Sequence, residues 1–149
     1  MIDEKREEDK VLRCKIRLDF LGLPKPAKFF IGGKDNIEVA EENREKQIMI
    51  WENVPMQGLE IEHVEQKEPY TIFEETYNEE AAYAPVEIIV SAVSCEAILP
   101  LIIRPELRII EVFEPETANF TKIGLERFLI KINEELQKQV EKLRKQMEA

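Results

Sequence analysis

The chain has 149 residues, 44% of them apolar and 35% charged, with a formal net charge of −10. That length holds one ordinary globular domain with room for a core. The excess charge sits in one place: residues 34–80 carry 14 acidic and 4 basic side chains, and the remaining 17 of each sign cancel. An acidic middle third disfavours a duplex-binding protein, because phosphate contacts need clustered Lys and Arg. It serves solubility, or it docks a basic protein partner. No apolar run approaches the ~20 residues that span a membrane, and Met1–Lys10 is too charged for a secretory signal. Two cysteines in apolar stretches, Cys14 and Cys95, read as reduced, buried thiols of a cytoplasmic protein, with a disulfide between neighbouring strands as the minor alternative.

In chain order, residues 1–10 mix charges without a core-forming face and are expected to fray. Val11–Leu21 alternates strictly: Leu12, Cys14, Ile16, Leu18 and Phe20 on one side, Arg13, Lys15, Arg17 and Asp19 on the other. That is a strand with one buried and one wet face. The basic row Arg13, Lys15 and Arg17 is expected to pair with Glu on a neighbouring strand, the alternative being contact with a small anion or acidic peptide. Pro24 and Pro26 break the strand. Ala27–Ile31 reads as a second short strand ended by Gly32-Gly33, which lacks the Lys-Ser/Thr of a phosphate loop.

Asp35–Lys46 is expected to carry a helical turn or two. Gln47–Trp51 reads as a third strand, apolar on both faces. Leu59, Ile61 and His63 alternate with Glu60, Glu62 and Val64 as a fourth strand, and Tyr70–Glu75 makes a fifth. Thr76–Ala84 reads as a loop or a single helical turn. Val86–Val93 is a further strand, after which Ser94 can cap a short helix over Cys95–Ile102 that Pro100 limits. Leu107–Phe113 returns as a strand expected to be buried on both sides. Strand, short helix and strand fit a parallel crossover, with a split connection as the equal alternative.

The last thirty residues give the strongest pattern. Leu125, Leu129, Ile132, Leu136, Val140, Leu143 and Met147 follow steps of about 3.67 residues, close to the α-helical period. Thr121 is placed to cap the helix. A 27-residue helix is ~40 Å long, more than the width of a small domain. The first half, widened by Phe128 and Ile130, is expected on the core. Val140, Leu143 and Met147 are left as the candidate interface.

Together these readings predict an α+β fold. A single, mostly antiparallel (mixed) sheet of about six to seven strands carries one short helix after Val93. A long C-terminal amphipathic helix packs on the sheet. The expected organisation is a frayed 1–10, one α+β domain over 11–136, and a projecting helix end over 137–149.

Chemistry is thin. His63 is the only histidine, and Cys14, Cys95 and His63 lack the local spacing of a zinc site. Cys95 opens a short helix, a place that lowers a thiol pKa, yet a small apolar residue beneath a strand end is the weightier reading. Cys95 and His63 are therefore weak candidates for a thiol or ligand site. No catalytic, cofactor-binding or metal-binding residues are assigned, and the reading leans away from an enzyme. The expected function is a protein-protein interaction or assembly module that self-associates through its C-terminal helix. The alternative is a small-molecule-binding regulatory domain with a pocket between sheet and short helix.

Overall fold

Strict alternation in the first strand sets the sheet. The computed structural model describes residues 11–23 and 35–148; the expectations for the frayed terminus and for a strand over Ala27–Ile31 lie outside the described residues. β1 spans Leu12–Gly22, α1 Asn36–Asn53, β2 Leu59–Gln66, β3 Tyr70–Glu74 and β4 Glu79–Ala92. A 3-10 turn over Glu96–Ile98 and a one-turn α2, Leu99–Ile102, lead to β5, Leu107–Glu114, and then to α3, Lys122–Glu148.

The sheet among the described residues has five strands, fewer than the six to seven expected, and every pairing is antiparallel. The order is β2-β4-β1-β5, with β3 pairing the first half of β4 on the same side as β2. β4 and β5 are both antiparallel to β1, so they run parallel to each other with β1 between them. The connection after Val93 is thus the split alternative.

β1 and β4 pair from Leu12↔Ala92 to Gly22↔Ala82 without a break. Their inward rows, Cys14, Ile16, Leu18 and Phe20 against Val86, Ile88 and Val90, are buried and form the main core with Ile48, Ile98 and Leu101. Pro85 sits in β4 at the point where its partner changes from β3 to β2. There its carbonyl accepts from Lys67 N and Arg44 Nη1, at 3.0 and 2.9 Å. The missing proline donor coincides with a gap in the ladder, the place where a strand tolerates proline.

α1 corrects two expectations. Residues 47–51 are its last turns, not a strand, and the acidic stretch before them is helical throughout. Asp35 caps it, its carboxylate accepting from Glu38 N at 2.8 Å. Val39, Ala40, Arg44 and Ile48 are buried at helical spacing, while Met49 and Ile50 face solvent. A run of four apolar residues has no period of its own, so strand and helix compete until the neighbours decide. α1 lies on β1 and β4, with Trp51 edge-on to Phe20 at 6.5 Å.

Three further corrections follow from the sheet. β4 begins at Glu79, inside the stretch read as a loop. A bulge between Ile61 and His63 shifts the register of β2, and one extra residue exchanges the two faces beyond it. Val64 therefore joins Leu59 and Ile61 against the core, and His63 turns to the other face opposite Ile89, exposed. β5 is an edge strand, not a doubly buried one, and Ile109, Ile110, Val112 and Phe113 are all exposed.

α1 crosses the end of β1 so closely that a Cβ on Gly22 would stand 2.1 Å from Asn36 O and 2.3 Å from Ala40 N. Both obstacles are backbone. Gly22→Ala is expected to destabilise the fold by about 3 kcal/mol, the upper end of overpacking costs, read as a lower urea midpoint at unchanged slope.

Candidate functional site

α3 is capped as its sequence implies: Thr121 Oγ1 accepts from Gly124 N at 3.0 Å. It does not pack on the sheet. Its neighbours are the 3-10 turn and α2. The better-covered positions of the helix are Gly124, Phe128, Lys131, Ile132, Glu135 and Gln139, so apart from Ile132 the side it lays there is one residue ahead of the stripe. Glu135 is buried at the middle of this contact and is paired by Lys131 at 3.3 Å and Lys138 at 3.1 Å. At 3.6 residues per turn, this side lies roughly 100° around the helix from the apolar stripe.

Six of the seven stripe positions are consequently exposed, Ile132 being partly covered. Leu129 is 55% exposed, Leu143 58% and Met147 86%, with Leu125, Leu136 and Val140 also exposed. Leu136 and Leu143 border a cleft of about 450 Å³ shared with Gln47 and the Ile103–Glu106 turn. Leu125 and Leu129, expected on the core, are as open as Val140. The candidate interface residues Val140, Leu143 and Met147 are exposed together, as the tail of a longer band. Monomers rarely expose a contiguous apolar patch beyond about 300–600 Å².

Beside the start of α3 the inner face of the sheet is hollow. A cavity of about 380 Å³ is walled by Leu12 and Cys14 of β1, Ile110 and Val112 of β5, Ile98, Leu99 and Ile102 of the short helical segment, and Phe128 of α3. Cys95 borders it and a second, wider cavity of about 520 Å³ lined by Ser94, Glu96, Asn119 and Phe120. Both thiols are free. Cys14 is fully buried, and that burial pushes its pKa up to about 11. Cys95 precedes a 3-10 turn of three residues that runs on into α2. Ser94 Oγ accepts from Ala97 N at 3.2 Å, as an N-cap should.

The opposite face of the sheet carries the polar chemistry. Arg13 pairs with Glu62 of β2 at 3.0 Å and Lys15 with Glu111 of β5 at 3.5 Å, so the basic row is largely answered across strands. Arg17 instead donates to Asp19 at 2.9 Å along its own strand. Asp19 is 2% exposed and also accepts from Tyr70 at 2.6 Å, with Arg108 3.7 Å away. Tyr70 stacks on Tyr83 at 5.3 Å, and Arg108 lies over the Tyr83 ring. Burial first, and then the bond it donates to Glu74, raise the Tyr83 pKa to about 12. This knot joins β1, β3, β4 and β5 at one end of the sheet, and every member is answered by another. An aspartate in a strand of apolar-basic alternation was its only sequence signal.

Among the described residues no three His, Cys, Asp or Glu side chains are grouped to hold a metal ion, and no helix is long and apolar enough to cross a membrane. Neither family models, nor curated proteins, nor solved structures yield a match to this chain.

Two measurements check this geometry. Replacing Asp19 by Asn strands two guanidinium groups beside a neutral amide and is expected to cost about 3 kcal/mol. Arg13→Gln, at an exposed pair, should cost under about 1 kcal/mol in the same urea titration. A thiol titration should find Cys95 reacting in the native protein and Cys14 only in denaturant. Because the folded pKa of Cys14 is raised from 9.0 to about 11, the unfolded chain ionises first. Stability is untouched below pH 9 and falls as pH rises towards 11, an alkaline loss that Cys14→Ala should lessen.

Proposed function

We propose that this chain is a non-catalytic assembly module that self-associates through the apolar stripe of α3. One observation supports the reading above others: the helix meets its own domain with Phe128, Lys131, Glu135 and Gln139, and turns Leu125, Leu129, Leu136, Val140, Leu143 and Met147 away. A six-position exposed band on one helix face costs solubility unless something covers it. Its period of about 3.67 residues per step lets two such bands stay in register along nearly straight helices. The acidic stretch of residues 34–80, whose described part forms α1, β2, β3 and the start of β4, is a second surface in the same proposal, suited to a basic protein. A reducing, cytoplasmic setting fits the two free thiols.

A second reading has its own observation. The cavity of about 380 Å³ lies between the sheet and the short helix, where a small-molecule site was expected from the sequence. Its lining is almost wholly apolar, so a ligand there would be an apolar body without fixed polar recognition.

Light scattering behind size exclusion tests the main reading. The unmodified chain at ~100 µM should run as a dimer or larger. The combined variant Leu125→Ser, Leu129→Ser and Met147→Ser should run as a monomer with a folded circular dichroism spectrum, because those side chains are already exposed. A monomeric unmodified chain at that concentration overturns the proposal.

A further inference from the structure

The apolar cavity does not end at its own walls. Cys95, Pro115, Ala118 and Phe128 line it and also line the wider cavity of about 520 Å³ beside it, so the two hollows meet there. They differ in chemistry. The inner one, of about 380 Å³, is walled mainly by aliphatic side chains of β1, β5 and the short helical segment. The outer one adds Ser94, Glu96, Thr117 and Asn119. An apolar chamber that opens past a free thiol into a polar mouth suits a molecule with a tail and a head.

The charges at the mouth select the head. Glu96 and Glu116 are the charged side chains that line either hollow, and both are acidic. Glu96 is half-buried, yet among the described residues its carboxylate has no hydrogen-bond or ion-pair partner. Lys131, which shares a third hollow with Glu96, is taken by Glu135 at 3.3 Å and Glu134 at 3.7 Å. A partly buried carboxylate without a cation is stabilised by any cation that reaches it. The net charge of −10 attracts cations in the same sense. An ammonium carries N–H donors only, and the mouth offers acceptors in Glu96, the Thr117 hydroxyl and the Asn119 side-chain carbonyl. Glu116, by contrast, is exposed and borders the aliphatic hollow.

We infer that the joined cavities bind an amphipathic amine, its alkyl body against Ile98, Ile110, Val112 and Phe128 and its ammonium at Glu96. The inference rests on the small-molecule reading of the inner cavity given above and names the ligand class. The α3 stripe plays no part in it. Apolar burial of the chain supplies affinity, and the head fixes orientation.

Octylamine, octanol and octanoate are compared on the full chain by isothermal titration calorimetry, with the rate at which Cys95 reacts with Ellman's reagent as a second readout. Octylamine should saturate one site per chain and slow the Cys95 reaction. Octanol should bind about tenfold more weakly, the loss of a charge-assisted hydrogen bond, and octanoate more weakly still because its carboxylate meets Glu96. Glu96→Gln should weaken octylamine about tenfold and leave octanol within about twofold. Glu116→Gln should change neither. Octanol or octanoate binding as tightly as octylamine means that the cavity takes tails without reading heads, which overturns the amine and leaves the small-molecule reading standing. Loss of octylamine in Glu116→Gln but not in Glu96→Gln puts the head at the other carboxylate and overturns the assignment. Octylamine binding that leaves the Cys95 rate unchanged lies elsewhere on the acidic surface and also overturns the inference. No binding by any of the probes at ~1 mM overturns the inference and the small-molecule reading together.

Discussion

The uninterrupted antiparallel ladder between β1 and β4, from Leu12↔Ala92 to Gly22↔Ala82, is the constraint from which the other elements take their places. Because directly opposed residues share a face, the ladder puts every inward side chain of both strands on one side of the sheet at once. That row is the core. α1 has to lie across it, and the approach is close enough that Gly22 cannot carry a side chain. β2, β3 and β5 are added at the flanks, each accommodated by a bulge or by the proline junction at Pro85.

The two faces of that ladder hold different kinds of interaction. Inside, stabilisation comes from burying aliphatic surface, worth about 25 cal/mol per Å² removed from water. Outside, it comes from pairing charge. Most of those pairs are exposed and contribute little, but Asp19 is buried beneath Arg17, Arg108 and Tyr70. A buried carboxylate is tolerated only with such partners, so the knot fixes the position of β3 and β5 relative to β1 more than it adds net stability.

The fold is asymmetric in its coverage, and that asymmetry carries the functional reading. α1 and the short segment Glu96–Ile102 roof the β1-β4 side, while β5 is left with apolar side chains on both faces and, among the described residues, an unpaired edge. α3 could have roofed it, since its length and its stripe suit the task. It is held instead against the short helical segment by a side containing the paired Glu135.

The amino-acid sequence by itself located the strands β1, β2, β3 and β5, most of β4, the short capped segment after Ser94 and the whole of α3; for β1 and α3 the reason is a period of two or of 3.6 carried over enough residues to exclude the other. It also determined that Arg13 and Lys15 would find glutamates across the sheet. The tertiary structure alone decided the rest. It made Gln47–Trp51 a helix, because a short apolar run has no period and Asp35 upstream nucleates the other choice. It turned His63 outward through a bulge, which local alternation cannot foresee. It brought Asp19 to Tyr70 and Arg108 across about fifty and ninety residues of chain, a meeting that no local pattern encodes. Above all it set the rotation of α3. The spacing of Leu125 to Met147 fixes that these side chains share a face; which way that face points depends on what the rest of the chain offers it.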